Sequence, residues 1–144
     1  MIEQDTIKLL RECDAGIKMG VSSIDEVLDS ISNEKFKNYL ISCKLEHEKL
    51  EKEVENYLDK YHDDGKEISP MAKTMSWIKT NARLVMDETD HTVADIMIDG
   101  CNMGIKSLNR YLNQYEAADE RSKEIAKKLI YVEEELVSEM FQYL

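Results

Sequence analysis

Apolar residues recur every three or four positions along most of this chain, a spacing that places them on one side of an α-helix. The first such stripe predicts a helix over Asp5–Ile31, and the second predicts a helix over Glu34–Tyr61. Only Ser32 and Asn33 separate the two stripes, and Asn33 is suited to cap the second helix. A two-residue connection between two long helices is too short for any arrangement other than antiparallel neighbours, so we expect an antiparallel hairpin.

The second half of the chain predicts three further helices. A polar loop at 62–69 ends in Ser69, a capping residue, and the following Pro70 suits the first turn of a helix that runs to about Met86. Another stripe predicts a helix over Thr92–Tyr115, and Asp119 then caps a last helix that reaches the C-terminus. No alternating, β-branched run competes with these helices, so the fold class is all-α.

Two stretches of the sequence are nearly the same. GIKMGVSSIDEVL at 16–28 matches GCNMGIKSLNRYL at 100–112 with a shift of 84, and the helices that follow them align with a shift of 86. We therefore predict one helical hairpin present twice, at 5–61 and 90–144, with the two copies related by a pseudo-twofold axis. The helix over 70–86 lies in the crossover between them, and the whole chain, 1–144, is one domain.

Four glycines of the repeated stretches lie inside predicted helices, namely Gly16, Gly20, Gly100 and Gly104. Each costs about 1 kcal/mol relative to alanine, so each needs a compensating reason. We expect the first helix of each hairpin to cross the other at or near these glycines, where a missing Cβ permits close approach. The alternative is that they leave room for a ligand or a neighbouring subunit.

A duplicated hairpin with a long crossover is the plan of ferritin-like four-helix bundles. Over most of its length the chain also resembles an uncharacterised bacterial branch of that superfamily, in ECDAG at 12–16, EHEKL at 46–50 and DGCNMGIKSLNRYL at 99–112. The resemblance implies a ferritin-like up-down four-helix bundle, here with an extra helix in the crossover.

The di-iron ligands of that superfamily are largely missing. Its members carry Glu-x-x-His on two helices, whereas this chain has Lys44 with His47 on one and Ile130 with Glu133 on the other. His47 and Glu133 align in the repeat and are predicted to face each other across the core. With Glu51 they form the candidate metal site, for iron or manganese. The simpler interpretation is that His47 is a core histidine hydrogen-bonded to a carboxylate or a carbonyl group.

Other residues that can carry chemistry are few. Glu88 and His91 form a literal Glu-x-x-His, but they lie at a predicted helix junction where capping is the simpler explanation. Cys13, Cys43 and Cys101 lie on or beside apolar stripes, without a neighbouring base, so we expect inert, reduced thiols. We therefore expect no catalytic residues and no resident cofactor.

The net charge of −11 disfavours nucleic acid and membrane surfaces as partners. The first residues lack the basic and apolar regions of a signal peptide, which together with the thiols predicts a cytoplasmic protein. We expect a non-enzymatic helical bundle that acts through protein–protein contacts or self-association, as a homodimer. The predicted contact residues are on the crossover helix: Met71, Met75, Trp77 and Ile78. The alternatives are a metal-binding, oxidoreductase-like remnant and a small-molecule binder in the bundle core.

Overall fold

The computed structural model describes residues 2–63 and 89–144. They form four α-helices, which we number α1 (Ile2–Val27), α2 (Glu34–Asp59), α3 (Asp90–Gln114) and α4 (Glu120–Met140), with 3-10 turns at Leu28–Ser30 and Phe141–Tyr143. The four helices pack against one another, and this part of the chain contains no strand, which confirms the predicted all-α four-helix bundle. The predicted helix over 70–86, with Met71, Met75, Trp77 and Ile78, lies outside the described residues.

Side-chain caps explain where three of the helices begin. Asn33, Thr89 and Asp119 each accept a hydrogen bond from the backbone N–H three residues later, at 2.9, 3.3 and 2.8 Å. Each bond satisfies one of the N–H groups that the first turn of a helix leaves without a partner. The caps predicted at Asn33 and Asp119 are confirmed, and the cap at Thr89 starts α3 two residues earlier than the apolar stripe predicted.

The predicted limits of the first two helices were partly wrong. The α-helical hydrogen bonding of α1 stops at Val27, the chain tightens into a 3-10 turn, and Ile31 is already extended. Helix α2 ends at Asp59 rather than Tyr61. Helix α1 begins at Ile2, before the predicted start at Asp5, and the Asp5 carboxylate accepts the N–H of Ala117 at 3.1 Å in the turn between α3 and α4.

Hydrogen bonds at each end of the bundle fix the direction of the helices. The Asp90 carboxylate at the start of α3 accepts the N–H groups of Ser32 and Asn33, at 2.7 and 2.9 Å. This places the turn between α1 and α2 beside the start of α3. Since α1 ends and α2 begins there, α1 runs antiparallel to both α2 and α3.

The opposite end is joined in a similar way. The N–H of Asp119 donates to the Thr6 hydroxyl at 2.9 Å, and the Tyr57 hydroxyl donates to the Asp119 carboxylate. The turn between α3 and α4 therefore lies beside the start of α1 and the end of α2. Helices α2 and α3 run in the same direction, so the chain between residues 63 and 89 joins opposite ends of the bundle.

Two apolar clusters fill the core, one towards each end. The cluster beside the α1–α2 turn includes Ile24, Val27, Phe36, Leu40, Val93, Ile96, Leu136 and Met140. The cluster at the other end includes Leu9, Leu10, Ile17, Val54, Leu58, Leu108, Ile125 and Leu129. Between them is a layer to which each helix contributes one residue facing the middle of the bundle: Gly20, His47, Gly104 and Glu133. We call these four residues the central layer.

Replacement of Asp90 by alanine tests the joint between the two hairpins. We expect Asp90→Ala to lower the free energy of unfolding by about 2 kcal/mol, because two backbone N–H groups lose a charged acceptor. The measurement is urea unfolding followed by circular dichroism. Glu120→Ala is the matched control, since Glu120 is also the acidic first residue of a helix but is exposed. Equal losses in the two variants would contradict the assigned role of Asp90.

Candidate functional site

The central layer contains a buried histidine–glutamate contact. His47 on α2 and Glu133 on α4 meet with 2.9 Å between Nε2 and Oε1. The His47 side chain is fully buried, and the Glu133 side chain is 12% exposed. The prediction that these two residues face each other across the core is confirmed.

Both ring nitrogens of His47 have an acceptor as their neighbour. Nδ1 lies 2.8 Å from the backbone carbonyl oxygen of Cys43, one turn earlier on α2. A carbonyl oxygen only accepts, so Nδ1 carries a hydrogen, and an ionised Glu133 likewise requires a hydrogen on Nε2. The arrangement fits an imidazolium ring that donates at both nitrogens.

Electrostatics favour the same protonation state. Burial alone lowers the pKa of His47, but the hydrogen bond and charge of Glu133 and the Cys43 carbonyl act in the opposite direction. The net result is a His47 pKa raised above its ordinary value of 6.5. When the ring carries both protons, His47 and Glu133 form an ion pair in which each ring nitrogen has a hydrogen-bond acceptor.

Gly20 makes room for the His47 ring. A Cβ at this position would lie 2.9 Å from both Cδ2 and Nε2 of His47, closer than real Cβ contacts. It would also lie 3.9 Å from Oε1 of Glu133, and a Cβ at Gly104 would lie 4.0 Å from Oε2 of that carboxylate. Gly20 and Gly104 thus border the ion pair from α1 and α3, and the missing side chains leave space for side chains rather than for a second backbone.

The predicted close helix crossing is wrong for Gly16 and Gly100. Gly16 is exposed, and a Cβ there would meet only Leu129, at an ordinary 3.9 Å. A Cβ at Gly100 would meet no described atom within 4 Å. Packing within the described part of the bundle therefore does not require glycine at either position.

Glu51 does not join the ion pair. It lies one turn after His47 on α2, where burial and the charges of Glu55 and Asp14 raise its pKa. Within residues 2–63 and 89–144, no group of three or more His, Cys, Asp or Glu side chains is placed to hold a metal ion. Of the three predicted metal ligands, the structure thus brings together His47 and Glu133 but not Glu51.

Sequence analysis missed the burial of Asp14. This side chain is fully buried on α1, and its carboxylate accepts a hydrogen bond from Lys18 Nζ at 2.9 Å. The signal was present in the sequence, because an acid four residues before a lysine places both on one helix face. The spacing does not reveal the burial, since such pairs are also common on solvent-exposed helix faces.

The three cysteines are free and buried, in agreement with the prediction. Burial raises the pKa of Cys13 to about 12 and that of Cys43 to about 11. Burial and the Glu133 carboxylate, to which the thiol donates, raise the pKa of Cys101 further. Because the thiolate is the reactive form, these thiols are chemically quiet in the folded protein.

The Glu88–His91 motif is only half described. His91 is exposed on the first turn of α3, and Glu88 lies outside the described residues.

Comparison with known proteins returned no relative: no family model, no curated protein and no solved structure matches the chain. None of the four described helices has the length and apolar character needed to cross a membrane. The function must therefore be argued from the geometry of this chain.

Alanine substitutions distinguish the two classes of glycine. We expect Gly100→Ala to stabilise the protein by up to about 1 kcal/mol, since alanine favours the helix and the methyl group meets no described atom within 4 Å. Gly20→Ala should destabilise it by about 2 kcal/mol or more, because the methyl group displaces the His47 ring from Glu133. Urea unfolding measures both effects, and a Gly20→Ala protein as stable as Gly100→Ala would contradict the role of Gly20.

A thiol-labelling experiment tests the burial of the cysteines. In native buffer we expect Cys13, Cys43 and Cys101 to react with an aromatic disulfide reagent at least about 100-fold more slowly than in denaturant, where all three become accessible. Absorbance of the released thiolate reports the rate. Rapid labelling of one residue without unfolding would show that its thiol reaches solvent.

Proposed function

We propose that this chain is a non-enzymatic helical-bundle protein that acts through protein–protein contacts, and that it forms a homodimer through the side of the bundle where α1 and α3 meet. The observation that carries the proposal is that α1 and α3 each combine a glycine that packing among the described residues does not require with an exposed methionine three residues later. We define the α1–α3 face by Gly16 and Met19 on α1 and by Gly100 and Met103 on α3.

The α1–α3 face combines glycines, which have no side chain, with protruding methionine side chains. Met19 is 47% exposed and Met103 is 58% exposed, and each lies three residues after a glycine on the same helix side. Gly16 and Gly100 reduce helix propensity without a packing reason among the described residues. A molecule that packs from outside supplies such a reason.

A second copy is the partner that fits best. A twofold dimer uses one surface patch on both subunits, so the patch must contain both the protruding groups and the spaces that receive them. The α1–α3 face does, because methionine is a flexible apolar side chain and can fill the space above a glycine of the other copy. The free energy gained is about 0.8 kcal/mol for each methylene group that is removed from water.

The predicted repeat supports a face of this kind. Asn33 donates its N–H to Asp90, and Asp119 donates its N–H to Thr6. The shift of 86 relates Asn33 to Asp119, and the shift of 84 relates Thr6 to Asp90, so the two contacts are equivalent in the repeat. The shift of 86 also relates His47 to Glu133. We accordingly retain the duplicated hairpin as a proposal, with the ferritin-like kinship that the end-to-end connection between α2 and α3 supports.

Interior chemistry is less well supported as the function. The Nε2 atom of His47 is bonded to Glu133, and the space beside Gly20 is filled by the His47 ring. Metal binding at His47 and Glu133, or a ligand beside Gly20, would first require the ion pair to break. The free, buried thiols support a location in the reducing cytoplasm.

Sedimentation velocity over a concentration series tests the dimer. We expect wild-type protein to reach twice its chain mass of 16.7 kDa, and a Met19→Lys/Met103→Lys variant to dissociate at least about tenfold more readily. The matched control is Leu45→Lys/Tyr131→Lys, which alters side chains of similar exposure on α2 and α4 and should leave the dimer intact.

Two results would overturn the proposed interface. One is a wild-type protein that stays monomeric at the highest concentration tested. The other is a dimer that survives the methionine substitutions or is weakened equally by the control pair. Circular dichroism of each variant ensures that the comparison is made between folded proteins.

A further inference from the structure

We propose that the His47–Glu133 pair is a proton-dependent lock, which holds the central layer together while the ring carries two protons and releases it when the second proton leaves. The inference concerns the interior of one chain and does not depend on the proposed dimer. It rests on the positions of the acceptors around the ring and on the lack of space beside it.

The lock follows from the two acceptors. In the charged state, Nδ1 donates to the Cys43 carbonyl over 2.8 Å and Nε2 donates to Glu133 over 2.9 Å. A neutral ring has only one N–H, so one acceptor must then face a nitrogen lone pair. Either choice removes a buried hydrogen bond and leaves a polar group in the core without its donor.

The ring has little freedom to find another arrangement. A Cβ on Gly20 would lie only 2.9 Å from the ring, so the ring occupies the space that the missing side chain leaves. The apolar clusters lie above and below the central layer. Loss of the second proton is therefore expected to admit water or to separate the helices at this level, rather than to be absorbed by a rotation of the ring.

The groups that face the pair come from each helix. Helix α1 contributes Gly20, α2 contributes Cys43, α3 contributes Cys101 and Gly104, and α4 contributes Glu133 itself, while the exposed Glu46 on α2 acts through its charge alone. The Cys101 thiol donates a hydrogen bond to the Glu133 carboxylate. Glu46 acts on His47 in the same sense as Glu133, since both favour the positive ring.

The direction of the pH dependence is fixed by these contacts. A histidine whose folded-state pKa lies above its unfolded value of 6.5 stabilises the fold fully below pH 6.5. That stabilisation is lost as the pH rises from 6.5 through the folded-state pKa. The lock thus operates on the neutral-to-alkaline side, and it loosens on alkalinisation rather than on acidification.

Nuclear magnetic resonance can observe the lock directly. A His62→Gln/His91→Gln protein alters two exposed side chains and leaves His47 as the one imidazole of the chain. We expect its ring nitrogens to show the doubly protonated state above pH 6.5. The amide signals of Gly20 and Gly104 should shift with the same midpoint as the ring, whereas that of Gly100 should shift less.

Glu133→Gln separates the lock from simple burial. Loss of the carboxylate should lower the His47 midpoint by about one pH unit or more, which corresponds to a tenfold change in proton affinity. Wild-type unfolding by urea, measured across the same pH range, should show stability falling through the His47 midpoint. This wild-type arm decides the question if Glu133→Gln does not fold.

Three outcomes would overturn the inference. In the first, His47 loses its second proton at or below pH 6.5 in the native protein. In the second, the ring titrates above 6.5 but the Gly20 and Gly104 amides do not follow it. In the third, wild-type stability is constant through the midpoint.

Discussion

A charged imidazole ring enclosed by helices is the constraint on which the middle of this bundle depends. Burial of a charge is unfavourable unless a counter-charge and hydrogen-bond partners accompany it, and His47 finds both in Glu133 and the Cys43 carbonyl. The ring also needs the volume that a side chain at position 20 would occupy, and the glycine there leaves that volume free. A polar contact of this kind has one good geometry, so it fixes the level at which α2 and α4 meet more strictly than apolar packing does.

Much of the fold was accessible from the sequence because helix periodicity and capping are local properties. The stripes gave four of the helices, and Asn33 and Asp119 marked two starts to the residue. Errors arose where a distant contact changed a local preference. Asp5 has the chemistry of a cap, but the turn containing Ala117 binds its carboxylate, and nothing within several residues of Asp5 reveals that contact.

The site was predictable in its partners and less so in its details. Alignment of the repeat brought His47 opposite Glu133, a pairing the structure confirms. Glu51 lies one turn away on the same helix, but it is surrounded differently: burial and the charges of Glu55 and Asp14 raise its pKa. The sequence shows that the four helical glycines are costly, but it does not show which of them make room for a neighbouring side chain. Gly20 faces a ring, and Gly100 faces open space among the described residues.

The contacts at the two bundle ends bear on how the chain acquires its fold. The α1–α2 turn is bound by Asp90 of the second hairpin, and the N–H of Asp119, in the turn of the second hairpin, is bound by Thr6 of the first. Helices within a hairpin are close in sequence and can pair early, as low contact order favours. Each turn, however, acquires its last acceptor only from the opposite hairpin. We therefore expect docking of the two hairpins to be the cooperative step of folding, because each turn keeps a backbone N–H without its native acceptor until the other hairpin arrives.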